Sequence, residues 1–214
     1  LLQELPEELT IPDEEEEDDD RDDPFFQFEM QQSLRDYVQT LVDKKGMPAI
    51  KVSDHLQASL RPYQQEGFEW LVFMRDQNFG ACLADDMGLG KTVQLISYLL
   101  HVYDHENDAP PTLIICPTSV LGNWQKELER FAPSLKVYLH YGSNRLKDVA
   151  FDKFIDKERP QVVLSTYGTI TQDVDMLENH DWTNITLDEA QNIKNMHTKQ
   201  SKAIRRLHGR HNIA

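Results

Sequence analysis

Apolar positions recur along the 214-residue chain in two alternating rhythms. Short apolar runs at 80–84 (GACLA), 112–116 (TLIIC), 136–140 (KVYLH), 161–165 (QVVLS) and 183–187 (TNITL) are bounded by turn or polar residues and predict strands. Between them, at 91–103, 120–131, 145–156 and 169–178, apolar residues stand three or four apart, the period of an amphipathic helix. Pro62 is a favoured first helical residue and opens a further helix to about Arg75, with Tyr63, Phe68, Leu71 and Val72 on its inner face. Strands alternating with helices predict the α/β class: βαβ units forming a mainly parallel sheet with helices on both faces. Ligands of such sheets bind at the carboxyl ends of the strands.

The chain ahead of residue 60 reads differently. Leu34, Tyr37, Val38, Leu41 and Val42 predict one amphipathic helix over 29–43, ended by Gly46 and Pro48. Residues 1–24 carry a run of like charge and two early prolines, and cannot bury enough apolar surface to offset their ordering entropy. Three segments are therefore expected: an acidic flexible linker at 1–28, a helical lead-in at 29–59 and an α/β lobe at 60–214. The linker would join the lobe to an upstream domain. A nucleic-acid mimic that docks on a basic groove is the alternative for the same segment.

Charge changes the picture only once it is located. The chain has a net charge of −15, but residues 1–29 hold 14 acids against one base, Arg21, and residues 30–214 are left with a net of −2. The acidity belongs to the tail, so the overall balance does not exclude DNA as a partner of the body. Cys82 and Cys116, both in apolar runs, are too few for a disulfide framework or a four-cysteine zinc site. They are expected to be small buried thiols in a reducing, cytoplasmic protein. No run approaches the length of a membrane span and no signal-peptide pattern opens the chain.

The chemistry concentrates at strand ends. GACLA runs into Asp85-Asp86-Met87-Gly88-Leu89-Gly90-Lys91-Thr92 and then directly into a helix. Glycines let backbone N–H groups close around phosphate oxygens, and the helix start adds partial positive charge. Lys91 is then expected on the β and γ phosphates of a nucleotide and the Thr92 hydroxyl on Mg²⁺. Asp85 stands where the general phosphate-loop pattern has glycine. At 97 residues beyond Lys91, the run Ile185-Thr186-Leu187 ends in Asp188-Glu189-Ala190-Gln191. One carboxylate can hold Mg²⁺ while its neighbour orients and deprotonates water, which suits hydrolysis.

Five motifs in order carry a resemblance: Leu60-Arg61-Pro62-Tyr63-Gln64, LADDMGLGKT at 83–92, Ile115-Cys116-Pro117-Thr118-Ser119 with Asn123-Trp124, Ser165-Thr166-Tyr167-Gly168, and LDEAQNIKN at 187–195. Together they resemble the Q motif and motifs I, Ia, Ib and II of superfamily 2 helicase-like ATPases of the Swi/Snf type, bacterial members in particular. Asp85 is what that branch normally carries. The resemblance implies a RecA-like P-loop lobe of a DNA-dependent ATPase or translocase, with ATP and Mg²⁺ as cofactors. It places Gln64 on the adenine edge, Asp86 to Thr92 around the phosphates, and Thr118, Ser119, Thr166 and Tyr167 on the phosphates of one DNA strand. Gln191 stands in a coupling position where most members have histidine, so it can hydrogen-bond but not titrate. Trp124 is expected to pack a helix on the sheet.

The resemblance also implies a continuation past Ala214 into motif III and a second RecA-like lobe in cis that supplies arginine fingers. Arg205, Arg206 and Arg210 are expected to be surface residues rather than fingers. The lobe alone is expected to be a monomer, near-inactive in hydrolysis, and to contact double-stranded DNA within the full-length protein. Two other readings use the same loop. One is a non-catalytic RecA-like scaffold with the acidic tail as its contact; the other is a small-molecule P-loop kinase, for which no acceptor feature is apparent.

Overall fold

The computed structural model describes residue 47, residues 49–84 and residues 88–214. The acidic segment, the helix predicted at 29–43, and Asp85, Asp86 and Met87 lie outside the described residues. Ala49–Ala214 form one compact unit. In chain order it runs α1 (Pro62–Asp76), α2 (Lys91–His105), β1 (Thr112–Cys116), α3 (Thr118–Phe131), β2 (Val137–Leu139), α4 (Asp148–Glu158), β3 (Val162–Thr166), α5 (Tyr167–Leu177), β4 (Trp182–Leu187), a 3₁₀ turn (Ala190–Ile193), α6 (Lys199–Arg206) and β5 (Gly209–Ile213). These are the alternating elements expected of a RecA-like α/β lobe.

The five strands are parallel and ordered β2-β3-β1-β4-β5. From β1 the chain winds outward to β2, returns to β3, then crosses to β4 on the other side of β1. The order therefore reverses at β1, and the crevice between the carboxyl ends of β1 and β4 is where a ligand of such a sheet belongs.

Period-2 alternation divides the core in two. Ile114, Val162, Leu164 and Ile213 pack with Phe68 and Leu71 of α1, Leu95, Ile96 and Leu99 of α2, and Leu121 and Leu128 of α3. Leu113, Ile115, Val163, Ile185 and Leu187 pack on the other face with Phe151 of α4, Ile170 and Leu177 of α5, and Ile204 of α6. A buried polar chain crosses the first face: Tyr98 of α2 donates to Asn184 at 2.6 Å, and Asn184 donates to Thr112 at 2.7 Å. It ties the helix that follows the glycine-rich loop to β4.

Four expectations are revised. Tyr63, expected on the inner face of α1, is exposed at its first turn. The predicted strand at 80–84 pairs only through a single bridge, Ala81 with Ile213. At the sheet edge it has one neighbour and makes three backbone bonds with it, Ala81 N–H to Asn212 O (2.9 Å), Ala214 N–H to Ala81 O (2.9 Å) and Leu83 N–H to Ala214 O (2.7 Å). Cys82 in that segment is exposed whereas Cys116 is buried, because the edge segment turns its thiol to an open cavity and β1 lies mid-sheet. Residues 49–59 form no helix; Ile50, Val52 and Leu56 pack as irregular chain on the core, and Gln57 N–H donates to Phe131 O at 2.8 Å.

Candidate functional site

A cavity of about 510 Å³ opens at the carboxyl ends of the strands, lined among others by Lys91, Thr92, Trp124, Asp188, Glu189 and Gln191. Lys91 and Thr92 come from the start of α2, and the acids from the end of β4. The sequence holds them 97 residues apart; the insertion of β5 between β4 and the 80–84 segment sets their lateral spacing.

The glycine-rich turn is shaped by backbone conformation and by one side chain. Gly88 (φ 86°) and Gly90 (φ 79°) occupy the left-handed region that glycine adopts without cost. Gln64, nearly buried, receives Arg61 N–H on Oε1 at 2.9 Å and donates from Nε2 to Leu89 O at 3.0 Å. A Cβ on Gly90 would stand 2.4 Å from that Nε2. Gln64 thus joins the start of α1 to the loop, and in this conformation one donor and one acceptor of its amide are already engaged.

On the facing side, Asp188 N–H donates to Ile115 O at 2.9 Å, which extends the β4–β1 ladder by one residue and fixes where the carboxylate emerges. Trp124 Nε1 donates to Asp188 Oδ2 at 2.7 Å. The indole is buried on α3 as the sequence suggested, but it also orients the acid, which spacing alone could not reveal. Tyr167 donates its hydroxyl to Asp188 O at 2.8 Å, and burial, with the Asp188 charge beside it, pushes that phenol well up. Burial likewise pushes the Cys116 thiol up to about 12, so it stays protonated. Glu189 holds a left-handed backbone (φ 55°), a strained conformation for a residue with a side chain. Gln191 Nε2 bonds the Glu189 carboxylate, and Asn192 Nδ2 bonds its carbonyl at 2.7 Å.

Of the residues assigned to DNA, Thr118 and Ser119 are exposed at the first turn of α3. Thr166 and Tyr167 are buried, and their hydroxyls are engaged inside the protein: Thr166 caps α5 by accepting from Thr169 N–H at 3.2 Å, and Tyr167 holds Asp188. Exposed Gly168 leaves the backbone of that turn accessible. Cys116 and Thr166 are register partners, so the starts of α3 and α5 stand side by side. Arg205, Arg206 and Arg210 are exposed, and Arg206 pairs with Glu178 and Asp175.

The donor set suits a hard divalent cation. Thr92 and Asp188 offer oxygen ligands in one cavity, and the nearly buried Thr186 Oγ1, which lines it too, has no protein partner. Among the described residues no group of three or more His, Cys, Asp or Glu side chains is placed to hold a metal ion.

Residues 63–214 match the family described as the SNF2-related domain. The chain belongs to that family. It is 52% identical over 188 residues to YwqA of Bacillus subtilis (strain 168), a protein named as an ATP-dependent helicase/translocase; the match covers 88% of this chain and 20% of YwqA. It is 35% identical over 164 residues to the helicase SWR1 of Candida albicans, covering 77% of this chain and 10% of that protein. Its fold resembles the Sulfolobus solfataricus SWI2/SNF2 ATPase core solved in complex with double-stranded DNA, with a TM-score of 0.68, 41% identity, and coverage of 78% of this chain and 33% of the other. The chain therefore spans about a fifth of the length of its Bacillus relative and a third of the solved core. Among the described residues no helix is long and apolar enough to cross a membrane.

Proposed function

We propose that this chain is the Mg-ATP-binding lobe of a DNA-dependent ATPase and translocase, with turnover assigned to the longer protein. The observation that carries the reading is the cavity lined by Lys91, Thr92, Asp188 and Glu189 at the carboxyl ends of β4, β5 and the 80–84 segment.

In this reading the Gly88–Gly90 turn and the start of α2 cradle the nucleotide phosphates, with Lys91 against the β and γ groups. Thr92 and Asp188 hold Mg²⁺. The bound cation would neutralise charge on the phosphate oxygens. Glu189 orients the attacking water and receives its proton, and Gln191 holds that carboxylate in position. Trp124 holds Asp188 at Oδ2, so the acid meets the cation in one orientation. Gln64 carries adenine recognition to the loop through its bond to Leu89 O. Closing the far side of the nucleotide is the task of a second RecA-like lobe, whose arginine finger is worth on the order of 10³–10⁵ in turnover for such enzymes.

DNA is the proposed track. The adjacent helix starts at Thr118-Ser119 and Tyr167-Gly168 offer N–H groups and hydroxyls to phosphates of one strand. The solved relative bound to double-stranded DNA supports duplex as the substrate. A cytoplasmic, DNA-associated location follows from that role.

The test is titration calorimetry of the 214-residue chain with Mg-ADP. A dissociation constant of about 10 µM to 1 mM is expected, roughly −7 to −4 kcal/mol. Lys91→Ala should abolish the signal, and equal binding by the two proteins would remove the assignment.

A further inference from the structure

Among the described residues, one buried side-chain polar group lining the cavity has no hydrogen-bond partner in the protein. β4 turns Ile185 and Leu187 toward α5 and α6, while Asn184, Thr186 and the following Asp188 lie on the α2 face. Of these three, Asn184 is satisfied by Tyr98 and Thr112, and Asp188 by Trp124. Thr186 between them is 3% exposed, and its Oγ1 makes no hydrogen bond. Its register partners, Ile114 on β1 and Ile213 on β5, offer no side-chain acceptor or donor. Thr186 lines the same cavity as Lys91, Thr92 and Asp188.

A buried hydroxyl without a partner is unfavourable, and valine would fill the same space on a strand without that cost. The hydroxyl therefore points to something in the cavity. Thr186 stands one pleat repeat below Asp188, about 7 Å along the strand, too deep to replace it as a direct ligand. Mg²⁺ keeps several waters when bound by one or two protein oxygens, and a hydroxyl can both donate to and accept from such a water.

We propose that Thr186 is a positioning residue of the phosphate site whose hydroxyl anchors a water of the Mg²⁺ shell at the floor of the cavity. The proposal rests on the Mg-nucleotide reading above. It makes the contribution of Thr186 conditional on the cation: the hydroxyl has no partner within the protein and gains an ordered one when Mg-nucleotide is bound.

The test uses the 214-residue chain, with Thr186→Val and Thr186→Ser beside the parent and Lys91→Ala. Calorimetry with Mg-ADP should show Thr186→Val weakened about tenfold, the factor expected for losing one hydrogen bond at a charged site, and Thr186→Ser within about twofold of the parent. With ADP in excess EDTA, both variants should match the parent. Without nucleotide, Thr186→Val should melt at the parent's temperature or above it. Parental Mg-ADP affinity in Thr186→Val overturns the inference. So does a lowered melting temperature of the nucleotide-free variant, which would assign the hydroxyl to a permanent structural water. If the parent shows no Mg-ADP binding that Lys91→Ala removes, the phosphate-site reading itself fails and this inference with it.

Discussion

Trp124 and Asp188 are joined by a 2.7 Å hydrogen bond from the indole Nε1 to the carboxylate Oδ2, across 64 residues of sequence. The bond links α3, whose first turn carries the exposed Thr118 and Ser119, to the acid at the end of β4. A shift of α3 would therefore be felt at Asp188, the proposed metal ligand. Trp124→Phe keeps the ring and deletes the donor. We expect a stability loss of about 1 kcal/mol and Mg-ADP binding weakened several-fold, with ADP binding in EDTA unchanged. Denaturant melts and calorimetry read the two effects separately.

Gly90 is fixed by both its φ of 79° and its approach to Gln64. Gly90→Ala meets a left-handed penalty of about 1 kcal/mol and drives Gln64 off Leu89 O. Thermal unfolding should fall by several degrees, and Mg-ADP binding should drop below detection. A variant that melts and binds like the parent would refute the role given to this loop.

Asp173 sits at a kink in α5 and gathers His140 Nε2 at 2.9 Å and Arg145 Nη2 at 2.9 Å. Burial raises its pKa, but the hydrogen bonds from Arg145 and His140 outweigh that and hold the carboxyl below its ordinary range. Asp173→Asn would leave the nearly buried Arg145 guanidinium without its counter-charge. The expected loss is about 3 kcal/mol, read as a shift of the urea midpoint. An unchanged midpoint would show that the pair contributes nothing net.

His211 on β5 is buried, its Nε2 lacks a hydrogen bond, and burial, reinforced by the nearby Arg75 charge, pulls its pKa down to about 4. A histidine of ordinary pKa about 6.5 in the unfolded chain binds its proton first there, so folded stability is full above that pH. Stability should fall as pH drops from about 6.5 toward 4, by on the order of 3 kcal/mol from this group. Urea midpoints measured across that window should show the slope, and His211→Phe should flatten it. An equal slope in the variant would assign the effect to other groups.

Much of the fold and the candidate site is legible in sequence because its signals are local. The continuous apolar runs TLIIC and QVVLS, typical of strands buried on both faces, and the intervening helical stretches fix the βαβ order. Likewise, a glycine-rich turn before Lys91-Thr92 and an acid pair after an apolar run carry their chemistry in adjacent residues. β5 is harder to read, since its segment, GRHNI, is polar and becomes a strand through its pairing with β4.

The amino-acid sequence supplies the set of groups: a glycine-rich loop before Lys91-Thr92, the acid pair Asp188-Glu189 after an apolar run, and a nearly neutral lobe behind an acidic segment. Which of these groups meet depends on how the elements pack. That packing set Trp124 on Asp188, engaged the Thr166 and Tyr167 hydroxyls inside the protein, opened Cys82 to the cavity and left Thr186 without a partner beneath the acids. Periodicity records which face of an element is buried. Hydrogen-bond partners far apart in the chain depend on how strands are ordered in the sheet, and no local pattern encodes that order.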